Sequence, residues 1–382
     1  MEERRNGQQD RKERRGKPTL RWVLELMLAL GFVVYTAFRL TVLFPVSLFR
    51  VLFPVFSVLG VFLLSFQAVT TLGRGRYSGV YSALVFLSGL LIAFLVYFGG
   101  GLLVFDALYA VLAFVFHLPV SHSLFTGLAA LCGIVMTLYG AVHAARPVIV
   151  PVSVPTAKVR SPYRIVQLSD LHIGAVIGRR RIASVVRQVS ALSPDLVVIT
   201  GDLFNRRSCR ECRDLHLVER ELSSLSCPVV CVTGNHDLSG SDPDFASFLL
   251  RSGIVLLDET EETFGPVRVV GRAGCREEME KRRPLPDLSG DQRFTVVLDH
   301  NPKGMEEASC AGADLALFGH THAGQFFPCT LMTRWYYGRA ANHGVSKDRD
   351  TTCIVSSGTG CFQCPVRVGT NAEIVRIDLK PV

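Results

Sequence analysis

The chain has 382 residues, of which 49% are hydrophobic and only 19% charged, and it carries a formal net charge of +8. Soluble globular chains carry about 25% charged residues, so this balance excludes a wholly water-soluble protein, and the length allows about two to three structural units. The positive charge does not indicate a nucleic-acid partner. Much of it sits in Arg4, Arg5, Arg11, Lys12, Arg14, Arg15 and Lys17, beside the first apolar segment, where it reads as an orientation signal and a contact for anionic membrane lipids.

Residues 1–21 are read as a basic cytoplasmic tail, and residues 22–146 as an all-α multi-span membrane region with about four transmembrane helices. A span needs about 20 apolar residues, and the segments 22–38, 51–72, 80–105 and 124–143 meet that need. Residues 107–116 leave three possibilities open: an extension of the third helix, an interfacial segment, or a fifth span begun by a break at Gly99, Gly100 and Gly101. With four spans, Arg74, Arg76, Arg146, Lys158 and Arg160 fall on the same side as the basic tail, which places the C-terminal part in the cytoplasm. No short apolar core ends in a small-residue cleavage site, so a cleaved signal peptide is not expected. His117, His122, His143, Glu25 and Asp106 at or near span ends are read as interfacial residues.

Residues 147–162, with four prolines and no helical periodicity, are expected to form an extended linker. Beyond it, residues 163–382 are expected to form an α/β domain. Apolar runs predict strands at 163–168, 196–200 and 228–232, with helices at 179–192 and 212–224 between them. Further strands are expected at 254–257, 267–271, 294–298, 315–318, 352–356 and 373–378, closing a sandwich of two mixed β-sheets flanked by helices. The charged stretch 275–293 is read as a solvated loop. Ten of the eleven cysteines lie after residue 200, and Cys231, Cys310 and Cys353 are expected on buried strands as small hydrophobes, which fits a reducing compartment. Cys209, Cys212, Cys361 and Cys364 have the paired spacing of a structural zinc clip, set against four unrelated or locally paired thiols.

The chemistry concentrates where apolar strands end. Asp170-Leu171-His172, Gly201-Asp202, Gly234-Asn235-His236-Asp237, His300 and Gly319-His320-Thr321-His322 each follow such a strand, and loops leaving the carboxyl ends of neighbouring strands converge on one rim. Glycine at 201, 234 and 319 suits sharp turns and close backbone approach. An amide oxygen such as that of Asn235 is a weak ligand, usable only beside stronger ones.

This ordered set of five motifs resembles the calcineurin-like metallophosphoesterase family, in its membrane-anchored branch, over about residues 163–379. Carried over, the resemblance implies that Asp170, His172, Asp202 and His322 hold one divalent cation and that Asp202, Asn235, His300 and His320 hold the other. Asp202 would then bridge them. Manganese is the implied metal, with iron or zinc as alternatives. It further implies His236 as the acid that protonates the leaving oxygen, Asp237 as the group that orients the imidazole of His236, and Arg367 as a phosphate contact. Related sequences of this branch continue Gly-His-Thr-His with Gly-Gly-Gln, whereas here Ala323 stands in place of the first glycine. The branch includes UDP-2,3-diacylglucosamine hydrolases, so a lipid-linked phosphorylated substrate at the inner membrane is implied. A broad phosphodiesterase acting on phospholipid or nucleotide is the second enzymatic reading, and a metal-binding membrane sensor without turnover is the rival of another class.

Overall fold

The computed structural model describes residues 20–72, 79–205, 212, 214–274 and 282–382. Its N-terminal part is helical: α1 (Leu20–Thr41), α2 (Val46–Leu72), α3 (Gly79–Ala110) and α4 (His122–Ala144). Among the described residues three segments are long and apolar enough to cross a bilayer: Val46–Phe66, Gly79–Val115 and His122–Ala144. A shorter apolar stretch, Met27–Thr41, lies in α1. Three of the four expected spans correspond to these segments, and the expected first one, 22–38, coincides with α1, part of which lies outside the residues whose side chains are described. The ambiguous residues 107–116 extend the third helix, because α3 runs through its glycine triplet and continues as a π-helical turn at Val111–Val115. Glycine disfavours a helix by about 1 kcal/mol, too little to interrupt one this apolar.

The chain divides into two compact units, residues 1–65 with 94–134, and residues 66–93 with 135–382. In the first unit Phe98, Leu102, Ala129 and Ala130 form an apolar cluster. Gly101 lets its helix approach Ala129 closely, as small residues do between helices in lipid. Asp106 is more than an interfacial residue. Its carboxylate takes two hydrogen bonds from the buried guanidinium of Arg39, at 2.6 and 2.8 Å, and Arg39 also donates to Thr126 Oγ1 at 2.7 Å. Pairing is what makes a buried charge tolerable there.

In the second unit, twelve strands among the described residues build two six-stranded mixed sheets, in the orders β1-β12-β2-β3-β4-β5 and β10-β11-β9-β8-β7-β6. The first sheet holds β1 (Val148–Thr156), β2 (Tyr163–Leu168), β3 (Leu196–Thr200), β4 (Val229–Val232), β5 (Ile254–Leu256) and β12 (Glu373–Pro381). The second holds β6 (Glu261–Phe264), β7 (Val267–Gly271), β8 (Phe294–Leu298), β9 (Leu315–Phe318), β10 (Gly344–Asp348) and β11 (Thr351–Val355). Alternate residues of the central strands serve different cores. Ile165, Val198, Val230, Val296 and Leu317 pack between the sheets. Val166, Val197, Ile199, Val229 and Cys231 face α5 (Arg179–Ala191), α6 (Leu215–Leu222) and α7 (Pro243–Ser252). On the far side, Val270, Val297, Ala316 and Phe318 form a third core with Ala308 of α8 (Met305–Cys310). Burial on both faces is why these strands read as unbroken apolar runs.

Three expectations need correction. Most of the segment read as a linker is β1, which pairs in parallel with β12 from Val148↔Glu373 to Thr156↔Pro381. Its prolines are compatible with pairing because Pro151 and Pro155 have the same parity. Val148 N–H donates to Ala372 O, so the prolines turn their missing N–H toward the open edge. Cys310 ends α8 and is exposed, whereas Cys231 and Cys353 are buried on strands as expected. The charged stretch is only in part a solvated loop. Residues 275–281 lie outside the described residues, but Leu288 is fully buried and the Arg282 guanidinium clasps the buried Asp299 carboxylate at 2.7 and 3.0 Å.

Where β12 begins, Glu373 Oε2 lies 3.0 Å from His343 Nε2. The hydrogen bond to Glu373 raises the pKa of His343 above 6.5. Burial works against the Glu373 charge, yet the hydrogen bond and charge of His343 hold its carboxyl below 4.5. The histidine's contribution is complete below its unfolded value and is lost as pH rises through the raised folded one. The glutamate's is complete above its unfolded value and is lost as pH falls through the lowered folded one. The pair therefore stabilises most between these limits. Thermal melts of His343→Gln in detergent should differ most from wild type between the ordinary glutamate and histidine values and converge toward it as pH rises through the raised His343 value. An equal difference at every pH would show that the pair contributes nothing.

Candidate metal centre

The loops that leave β2, β3, β4, β8 and β9 meet at one rim. Backbone hydrogen bonds weld them: Asp170 N–H donates to Gly201 O, His172 N–H to Asp202 O and Gly319 N–H to His300 O, each at 3.0 Å. A side chain at Gly201, where φ is +82°, would run into His300 Nδ1 and Gly234. At Gly234 it would strike Asp202, and at Gly319 it would strike Ser169 and Asp170. Five of the predicted ligands adopt left-handed backbone: Asp170 (φ 51°), His172 (47°), Asp202 (52°), His320 (73°) and His322 (50°). Such conformations cost about 1–2 kcal/mol per residue for non-glycine residues, and their concentration here marks a rim shaped for function.

All seven predicted metal ligands come together in two clusters. In the first, His172 Nε2 and His322 Nε2 face each other at 3.0 Å. His322 Nε2 lies 3.3 Å from Asp170 Oδ1, and His172 Nε2 lies 3.7 Å from Asp202 Oδ2. In the second, His300 Nε2 lies 3.1 Å from Asn235 Oδ1, 3.2 Å from His320 Nδ1 and 3.3 Å from Asp202 Oδ2. One oxygen, Asp202 Oδ2, belongs to both.

These donors fit divalent cations. Two ligands each about 2.1 Å from one ion, at ordinary coordination angles, stand about 3.0–3.4 Å apart, and the measured spacings cluster there. Asp170 Oδ1 is buried and accepts no hydrogen bond, whereas its Oδ2 takes Ser169 Oγ at 2.5 Å and His320 N–H at 3.0 Å. Asp202 Oδ1 takes His236 N–H at 2.9 Å, which leaves Oδ2 for the shared position. His300 Nδ1 sits 2.8 Å from Thr200 O, which fixes the ring and turns Nε2 inward. Electrostatics agree. Burial alone would raise both carboxyls, but the facing imidazoles of His322 and His300 keep Asp170 and Asp202 ionised below the usual range. Burial pushes His172 down to about 3, and burial with the His300 charge takes His320 to about 4, so both offer lone pairs. For His300 burial is outweighed by the Asp202 charge and hydrogen bond, giving about 10. A cation must therefore displace a proton there.

His236 is half-buried, with its ring 5.3 Å from that of His172. The Asp237 carboxylate accepts the backbone N–H of Gly234 at 2.8 Å, Phe204 at 3.0 Å and Leu203 at 3.2 Å, so it braces the loops that carry Asp202 and His236. Arg367, read as a phosphate contact, is fully buried, and its two terminal nitrogens donate to the carbonyls of Ser357, Gly358, Gly360 and Asn371. The cysteine pairs do not make a clip among the described residues. Cys209 lies outside them, and Cys212 packs against the core under α5 and α6 while Cys361 and Cys364 are buried beside the rim.

Sequence reading passed over two supports. Arg282, through Asp299, anchors the loop of His300. Phe362, between Cys361 and Cys364, lays its ring 4.8 Å from that of His236 and 5.3 Å from that of His172. Ala323, in place of the branch's glycine, adopts φ 49°. Ala323→Gly should raise stability by about 1 kcal/mol, seen as a higher melting temperature, and a lower one would overturn the strain argument.

A two-sheet α/β sandwich with carboxylate, amide and imidazole groups on five strand-end loops is the metallophosphoesterase fold. Residues 163–324 match the calcineurin-like phosphoesterase family, and the chain carries a domain of that family. It is 32% identical over 286 residues to the zebrafish (Danio rerio) transmembrane protein with metallophosphoesterase domain, covering 67% of this chain and 62% of that one. The bovine (Bos taurus) protein of the same description is 30% identical over 66% of this chain and 62% of its own length. An uncharacterised metallophosphoesterase of Helicobacter pylori is 28% identical over 62% of this chain and 65% of its own. The chain thus spans a little under two thirds of the length of these relatives.

Proposed function

We propose that this protein is a membrane-bound phosphohydrolase that uses two divalent cations, manganese by preference, to cleave a phosphoester or pyrophosphate bond. The observation that carries this reading is the shared position of Asp202 Oδ2 between two clusters of donor atoms. Asp170, His172 and His322 would complete one cation's shell, and Asn235, His300 and His320 the other's. Bound there, the cations supply a nucleophilic water at neutral pH and neutralise charge on the phosphoryl oxygens. The protein's own groups then orient and exclude. His236 would give a proton to the leaving oxygen, and the Phe362 ring beside it would keep bulk water off the imidazoles. Asp237 acts as a positioning residue through the loop backbone.

We assign the reaction to a lipid-linked or cell-envelope substrate, such as UDP-2,3-diacylglucosamine, at the cytoplasmic face of the inner membrane. The apolar helices and the distribution of positive charge support that placement. The test is product analysis with the full-length protein and Mn²⁺, offered a UDP-linked diacyl sugar, a phospholipid and a simple aromatic diester. Hydrolysis of the acylated sugar well above the other two is expected. Similar turnover of phospholipid and diester would favour a broad phosphodiesterase, and no turnover with both metals bound would leave a binding protein.

A further inference from the structure

The helix that follows the last metal ligands, α9 (Cys329–Asn342), has no buried residue. Leu331, Met332, Trp335 and Tyr336 stand on one side of it at i, i+1, i+4 and i+5, exposed by 58, 66, 86 and 62%. Water is a poor solvent for such a stripe. Basic groups flank it: Arg334 and Arg339 on the helix, and Lys303, whose Nζ lies 3.1 Å from Tyr336 Oη.

Both ends of α9 are tied to the metal loop. A side chain at Gly324 would strike Cys329 and Thr330, Thr321 Oγ1 donates to Asn342 O at 2.5 Å, and the Tyr337 ring lies 6.1 Å from that of His320. The strand-like segment leading into α9 bridges Phe326 to Val368, and Phe327 N–H donates to Val368 O at 3.0 Å. That neighbouring segment rests on the apolar helices. Gly140, four residues before the end of α4, has room for no side chain against Val366 and Val368, and its carbonyl takes Arg367 N–H at 3.0 Å. Gly89 of α3 likewise meets Gln363, Cys364 and Pro365. A continuous line of contacts therefore runs from two membrane helices through residues 363–368 to α9.

We propose that α9 lies in the headgroup layer of an anionic bilayer, with Leu331, Met332, Trp335 and Tyr336 in the acyl boundary, so that the metal rim opens at the membrane surface and takes a phosphoester bearing acyl chains directly from the lipid. The composition is that of an interfacial helix: an aromatic and aliphatic face with basic flanks. The continuity with α3 and α4 makes lipid, rather than a protein partner, the occupant. This assignment of substrate class rests on the phosphoesterase reading, whereas the seat of α9 in lipid does not.

The chain has two tryptophans, Trp22 and Trp335, so Trp22→Phe leaves Trp335 as sole reporter. In proteoliposomes containing anionic lipid, nitroxide-labelled lipid should quench Trp335 emission, most strongly from a label near the headgroup. Fluorescence unaffected by any lipid-borne label would overturn the proposal. A Leu331→Asp/Trp335→Asp variant should lose about tenfold or more in turnover of a long-chain phosphoester presented in liposomes, because two charges replace side chains buried in the acyl boundary, with its rate on a soluble aromatic diester unchanged. Equal loss on both substrates would overturn it. Quenching combined with an inert wild type on every substrate would support the lipid seat and sink the phosphoesterase reading.

Discussion

Asp202→Asn should abolish nearly all phosphoester turnover, by about 10³-fold or more, and deprive the protein of at least one of its two metals. The amide keeps the shape of the side chain and one oxygen but removes the charge. That charge sits where two clusters meet: Oδ2 is 3.3 Å from His300 Nε2 and 3.7 Å from His172 Nε2. Two cations side by side repel, and a carboxylate between them offsets that repulsion, a contribution of several kcal/mol, of which about 4 correspond to 10³ in rate. The Asn side chain also loses the acceptor pair that now serves His236 N–H through Oδ1 and would serve the cations through Oδ2. Metal analysis beside the rate measurement decides the cause. Retained turnover with two metals bound would refute a bridging role.

His236→Ala is expected to behave differently, with turnover falling by about 10²–10⁴-fold and both metals retained. Its ring is half-buried, and its backbone N–H, which the substitution keeps, is what supports Asp202. A leaving group that needs no proton, such as a nitrophenolate, should lose far less rate than an alkyl leaving group. Equal loss on the two would place His236 in binding rather than in proton transfer. Since Asp237 is committed to three backbone N–H groups, its replacement should instead lower stability and metal content together.

Much of this centre was legible before any fold was known, because each ligand motif follows an apolar strand and a strand end is visible in sequence. Asp170 after β2, Asp202 after β3, Asn235 after β4, His300 after β8 and His320 and His322 after β9 needed only the rule that such loops converge. What stayed hidden depended on partners distant in the chain. β1 was invisible because its extended prolines look alike in a linker and at a sheet edge, and only β12, more than 200 residues away, makes it a strand. Asp237 beside His236 reads as its orienting partner, and only the fold shows its carboxylate bracing the backbone at residues 203, 204 and 234. Arg367 reads as a free cation until four carbonyls close around it.

The sequence by itself determined that one part of this protein is apolar enough to cross a membrane and that another sets metal-type donors at its strand ends, because apolar run length and the succession of strand and donor are local properties of a chain. Tertiary structure alone decided that α3 runs unbroken past its glycines, that one oxygen of Asp202 serves both clusters, and that an exposed apolar helix lies beside residues packed on Gly89 and Gly140. The physical reason is the same each time: distance, burial and the direction of a hydrogen bond are settled by residues far away in the chain, and no local pattern carries them.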